Sequence, residues 1–145
     1  MANRLNTRPL NPNFGAEVLD MDLCSVTASD GYPDLRAAFE QHSALLFRNQ
    51  KLTPKAHLAL AELFGPIEDR MADEKQAGAA FEISVLTNET GDGGVADEMD
   101  LRTLSLKSNQ LWHTDSTFLP VPALVNILVA RIVTETGGET ELATT

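Results

Sequence analysis

The sequence predicts a mostly β fold with flanking helices, an α+β arrangement, and three observations carry that expectation. Residues 123–133 (Ala-Leu-Val-Asn-Ile-Leu-Val-Ala-Arg-Ile-Val) form the most strand-prone stretch of the chain. Two segments, from about Pro33 to Gln41 and from Pro54 up to Gly65-Pro66, carry helical apolar spacing between turn residues. Around them lie apolar or alternating runs too short for helices and set off by Gly, Pro, Asn and Asp.

Length and composition bound the class. A chain of 145 residues has room for one domain with a real core, so residues 1–145 are read within a single domain. Hydrophobic residues make up 43% and charged residues 22%, which places the chain among globular rather than disordered sequences. Twenty-one acidic against 11 basic residues leave a net charge of −10, which argues against nucleic acid and anionic membranes as partners. An anionic small molecule would therefore need a locally placed Arg or Lys. The lone Cys24 excludes an internal disulfide and any Cys-based zinc spacing. No signal-like N-terminus and no membrane-length apolar run occur, so the expected setting is cytoplasmic.

In chain order, Leu10–Gly15 is turn chemistry, and Ala16–Met21 alternates as an early strand or edge segment. Asp30-Gly31-Tyr32-Pro33 opens the first helix, with Leu35, Ala38 and Phe39 on one face. Ala44–Phe47 reads as a buried strand. Thr53 suits the N-cap of the second helix, Pro54 its first position, and Leu60, Leu63 and Phe64 its core face. His57 is expected at the solvent or rim side of that helix, and His42 in a structural role after the first. Ile67 to Ala80 reads as a charged surface loop and Phe81–Thr87 as a strand. Asn88–Ser108 is expected to be a long Gly/Asp/Glu-rich loop, read equally as a lid or as an insertion. Its Asp92-Gly93-Gly94 lacks the ligand spacing of a calcium loop. Pro120-Val121-Pro122 makes a rigid turn, residues 123–133 a central strand, and Thr136-Gly137-Gly138-Glu139 a hairpin connection from which Thr140 starts the returning strand.

The chemistry concentrates in Asn109-Gln110-Leu111-Trp112-His113-Thr114-Asp115-Ser116-Thr117-Phe118. Read as an extended strand, it sends His113 and Asp115 from the same face, two-thirds of a 2-His-1-carboxylate triad for non-heme Fe(II). A His-x-Asp tripeptide is weak by itself. Its alternative is a surface strand or turn whose Asp115 accepts neighbouring backbone hydrogen bonds. Trp112 is assigned to the core, as an indole beside such a strand more often packs than binds.

Beyond the tripeptide, this segment followed by Pro122 and Gly137-Gly138-Glu139-Thr140 resembles the TauD/TfdA family of Fe(II)/2-oxoglutarate-dependent dioxygenases. Its order and spacing are closest to the branch named for 2,4-dichlorophenoxyacetate dioxygenase. Asn13–Val18, Ser43–Gln50 and Phe64-Gly65-Pro66-Ile67-Glu68 agree with it. The resemblance covers nearly the whole chain but only the N-terminal half of the family's usual extent. It implies an incomplete double-stranded β-helix (jelly roll), with His113 and Asp115 as the first two iron ligands. Thr140 would be the hydroxyl donor to the distal carboxylate of 2-oxoglutarate, and Asn109 a substrate contact. Their alternatives are a hairpin threonine chosen for β propensity and a residue tying down a loop. The family's distal histidine and its 2-oxoglutarate-pairing arginine have no counterpart here, and Arg131 does not stand in for that arginine. The histidine of taurine-specific members is also missing after Gly65-Pro66, which argues against taurine.

The activity implied is hydroxylation of a small organic, anionic substrate, with Fe(II), 2-oxoglutarate and O₂ as co-reactants and succinate and CO₂ released. In this branch that chemistry often cleaves an ether or carbon–heteroatom bond. The chain reads as a fragment, inactive alone, with self-association left open. Two other classes remain: a catalytically inactive metal-binding module, and an interaction module completed by a second chain.

Overall fold

Turn chemistry at Leu10–Gly15 brings the first two strands together. Gly15 takes φ +82°, a region that glycine enters without steric cost, and the Leu10 N–H donates to its carbonyl at 3.0 Å. The reversal pairs β1 (Thr7–Pro9) antiparallel with β2 (Ala16–Val18), Arg8 opposite Glu17. β3 (Leu45–Phe47) lies parallel along the other side of β2, Glu17 opposite Leu46. The result is a small mixed sheet of order β1-β2-β3. This is a computed structural model in which residues 5–68 and 83–144 are described. The chain divides into two compact units, Met1–Pro66 with Ile127–Thr145, and Ile67–Asn126.

In the first unit both expected helices form. α1 (Tyr32–His42) starts after Gly31 at φ +79° with Pro33 in its first turn, and ends at Ser43 in the left-handed region. It buries Leu35 and Ala38. α2 (Pro54–Glu62) starts where the Thr53 hydroxyl accepts the Ala56 N–H at 3.2 Å. Leu23, Leu35, Leu52 and Leu60 form the buried centre, against which Met21, Phe47, Leu63, Phe64, Ile127 and Val129 pack half-buried. Each such leucine contributes roughly 1.5–3 kcal/mol by leaving water. Phe64 also meets Tyr32 and Phe39 edge-on, at centroid distances of 5.2 and 6.0 Å.

Several expectations are corrected. β2 is buried on every residue rather than alternating, because it is paired on both sides, and this takes Glu17 to 5% exposure. Its carboxylate survives there by accepting Arg8 Nη2 at 2.5 Å and Arg48 Nε at 3.0 Å. β3 is half-buried rather than buried. β1 went unanticipated, since Thr7-Arg8-Pro9 carries no strand pattern.

His57 is buried (8% exposed) instead of facing solvent. Its Nε2–H donates to the Ile127 carbonyl at 3.0 Å, while its Nδ1 has no hydrogen-bond partner among the described residues. Residues 123–133 form no strand, because no described segment lies alongside to complete a ladder. What survives is a period-2 burial pattern, with Val125, Ile127 and Val129 half-buried and Asn126, Leu128 and Ala130 exposed. Side chains hold the part of this stretch in the first unit: His57 at Ile127, and Arg131 donating to the Leu52 carbonyl. Gly137 and Gly138 turn as expected, at φ +76° and +74°, but Thr140 enters no ladder. Phe81–Thr87 shows no strand over its described residues 83–87, where Val85 and Leu86 are exposed; residues 81–82 and most of the charged loop lie outside the described residues.

The Arg8 hydrogen bond, with both arginine charges, holds the Glu17 carboxyl below its ordinary range against the opposing effect of burial. A depressed folded value means that Glu17 stabilises the fold above the ordinary glutamate range and loses that contribution as pH falls through the depressed value. Glu17→Gln is therefore expected to be less stable at neutral pH and to show a flatter acid-unfolding curve than the parent. Parallel acid titrations followed by circular dichroism would check this; superimposable curves would remove the role.

Candidate metal centre

In the second unit the chain reaches the His-x-Asp segment from a helix that the sequence reading had placed inside a long loop. Asp100 accepts the Arg102 N–H at 2.8 Å and pairs with the Arg102 guanidinium, starting α3 (Leu101–Ser108). Those bonds push its carboxyl down to about 2. α3 buries none of its residues, and its Leu101 and Leu104 lie exposed. Ahead of it, Asn88–Ala96 closes as a tight turn with Glu89 bridged to Val95, and Arg102 Nη1 reaches the Glu89 carbonyl at 3.3 Å.

Asn109 caps α3, its N–H directed to the Leu106 and Lys107 carbonyls. It is thus a helix-end residue, where the sequence reading began an extended strand. From Leu111 the chain runs without a ladder, then turns at Ser116, which is buried and takes φ +59°. Ser116 O accepts the Leu119 N–H at 3.0 Å, closing the turn. Trp112 is 70% exposed, contrary to its expected core position; none of the described residues buries it.

His113 and Asp115 do come together. Nε2 of His113 lies 3.2 Å from Oδ1 of Asp115, both side chains about half exposed. Nδ1 of His113 lies 2.6 Å from the Leu111 carbonyl, which can only accept, so Nδ1 carries the hydrogen. In the neutral ring, Nε2 then turns a lone pair toward a carboxylate oxygen. Two acceptors at that distance need a proton or a cation between them. An imidazole that presents one nitrogen while donating the other N–H to a carbonyl is the state a metal ligand adopts. The donor set therefore fits a divalent metal, with imidazole and carboxylate suiting iron.

Sequence reasoning missed Asn126, whose Nδ2 donates to Asp115 Oδ2 at 2.6 Å. The available signal was a single amide inside an otherwise aliphatic run. Thr140 lies exposed in the first unit, just after the Gly137-Gly138 turn. Among the described residues no three His, Cys, Asp or Glu side chains gather as a metal cluster. A cleft of about 400 Å³ in the first unit is lined by Asp20, Asp22, Asp30 and Asp34, of which Asp20 accepts from Asn6 and Asp22 from the Cys24 N–H. No helix among the described residues is long and apolar enough to cross a membrane.

Residues 6–145 match the family described as taurine catabolism dioxygenase TauD, TfdA family. The chain belongs to the TauD/TfdA family. It is 34% identical over 136 residues to an alpha-ketoglutarate-dependent 2,4-dichlorophenoxyacetate dioxygenase of Cupriavidus pinatubonensis, covering 92% of this chain and 47% of the relative. It is 33% identical over 145 residues to an (S)-phenoxypropionate/alpha-ketoglutarate-dioxygenase of Sphingobium herbicidovorans, covering 99% and 46%. A crystal structure of AAD-2 in complex with Mn(II) and N-oxalylglycine superposes with a TM-score of 0.69 at 27% identity, over 83% of this chain and 43% of that one. The chain thus spans about half the length of the TauD/TfdA relatives it matches.

Trp112 is the chain's only tryptophan, so its fluorescence reports this segment alone. In the 145-residue chain its emission is expected at the wavelength of a solvated indole and open to acrylamide quenching. A blue-shifted, quencher-resistant emission would return Trp112 to a core.

Proposed function

We propose that this chain supplies the N-terminal half of an Fe(II)- and 2-oxoglutarate-dependent dioxygenase that hydroxylates a small organic, anionic substrate and releases succinate and CO₂. The observation that carries the reading is His113 Nε2 lying 3.2 Å from Asp115 Oδ1 in a TauD/TfdA chain. The names of the two relatives support the co-substrate, and the Mn(II) named with AAD-2 supports a divalent metal. Residues 1–145 would form half of one double-stranded β-helix domain, in keeping with the 46–47% of the relatives that the chain covers. Self-association stays open.

His113 and Asp115 would hold the iron. Bound there, iron would supply O₂ activation coupled to decarboxylation of the 2-oxo acid. The chain's own groups do the rest. Leu111 O fixes the His113 tautomer, Thr140 would bond the distal carboxylate of 2-oxoglutarate, and Asn109 would border the substrate. Arg131 is committed to the Leu52 carbonyl, which supports leaving it out of co-substrate pairing. A second reading, an inactive metal-binding or interaction module, is favoured by one observation: no third ligand joins the pair among the described residues.

The test uses the protein at its full natural length. His113→Ala and Asp115→Ala are each expected to abolish Fe(II) binding and 2-oxoglutarate-dependent succinate formation; full activity in either variant would sink the assignment. Parent protein that binds Fe(II) yet forms no succinate would favour the inactive module. Thr140→Ala is expected to raise the KM for 2-oxoglutarate without changing Fe(II) affinity, by a loss of about 1.5–3 kcal/mol for a hydrogen bond to a charged group. An unchanged KM would leave Thr140 a turn residue.

A further inference from the structure

We propose that Asn126 is a positioning residue for this centre: by donating to Asp115 Oδ2, it selects Oδ1 as the oxygen turned toward His113 and holds Asp115 to a single bond with the metal. The proposal rests on the reading of His113 and Asp115 as the metal pair. The two oxygens of a carboxylate are chemically equivalent, and the Asp115 side chain is 48% exposed, so packing does not choose between them. Neighbouring groups must. Asn126 Nδ2 lies 2.6 Å from Oδ2, while Nε2 of His113 lies 3.2 Å from Oδ1. One oxygen is thus engaged by a donor and the other is presented to the imidazole nitrogen.

The residue type fits the task. An amide donates without carrying charge, so Asp115 keeps the full negative charge it would offer a cation; Lys or Arg at 126 would instead compete with the metal as an ion pair. The backbone places it as well. In the period-2 stretch, Val125 and Ile127 are half-buried and Asn126 points to the exposed side, eleven residues beyond Asp115. An Asn has low strand propensity in such a run, and the bond to Asp115 gives it a function there. Loss of a hydrogen-bond partner of a metal ligand typically costs about 10–100-fold in metal affinity.

The experiment uses the full natural-length protein and two probes, Mn(II) affinity read by the loss of free-ion paramagnetic resonance signal and the d–d absorption of the Co(II) form. Asn126→Ala and the strand-compatible Asn126→Val, neither with a donor, are expected to bind Mn(II) roughly 10–100-fold more weakly. Their Co(II) spectra are expected to shift as the second oxygen joins the metal. Asn126→Ser, which keeps a donor on a shorter arm, is expected to recover part of the affinity and the parent spectrum. Parent-like Mn(II) affinity and Co(II) absorption in a folded Ala or Val variant would overturn the proposal. A different result marks failure of the underlying reading: Mn(II) affinity unchanged by His113→Ala would show that the pair is not the centre, and the role of Asn126 would fall with it.

Discussion

Buried backbone N–H and C=O groups have to be paired, and that requirement decides which β-prone segments of this chain become strands. β2 has neighbours on both sides and is buried through all three of its residues. Residues 123–133 are more strand-prone by composition, yet they lack a lateral partner among the described residues and remain extended without a ladder. Propensity says that a segment fits a pleated surface; only a neighbour supplies the bonds. His57 and Arg131 hold this segment by side chains at the Ile127 and Leu52 carbonyls instead. The buried Nδ1 of His57, without a partner among the described residues, sets about 1–3 kcal/mol of desolvation against that anchoring.

The same bookkeeping applies to charge. Glu17 enters the sheet only because Arg8 and Arg48 reach it from the flanking strand and from just beyond β3. At Asp115 the carboxylate is not buried and, among the described residues, not paired with Lys or Arg; a neutral amide and an imidazole edge face its two oxygens. The contrast separates a carboxylate that completes a structure from one left with charge to offer. In a chain of net charge −10, a small cation is drawn to such a position, while an anionic co-substrate needs help from a local positive group.

What the sequence determined by itself was local. Caps and breakers placed α1 and α2 within a residue or two, since Pro33, Thr53 and Pro54 act on their own turn of backbone. Glycine placed the turns at Gly15 and Gly137-Gly138, where φ is positive. The two-residue spacing of His113 and Asp115 keeps them near each other, and they meet at 3.2 Å although no ladder forms there. The family was legible from the order of short motifs, which the match over residues 6–145 shows. Tertiary structure decided everything that depends on a distant neighbour. It buried Glu17 and His57, left Trp112 in solvent, and brought Asn126 to Asp115. No window of sequence contains both partners of those contacts, so no periodicity or cap could announce them.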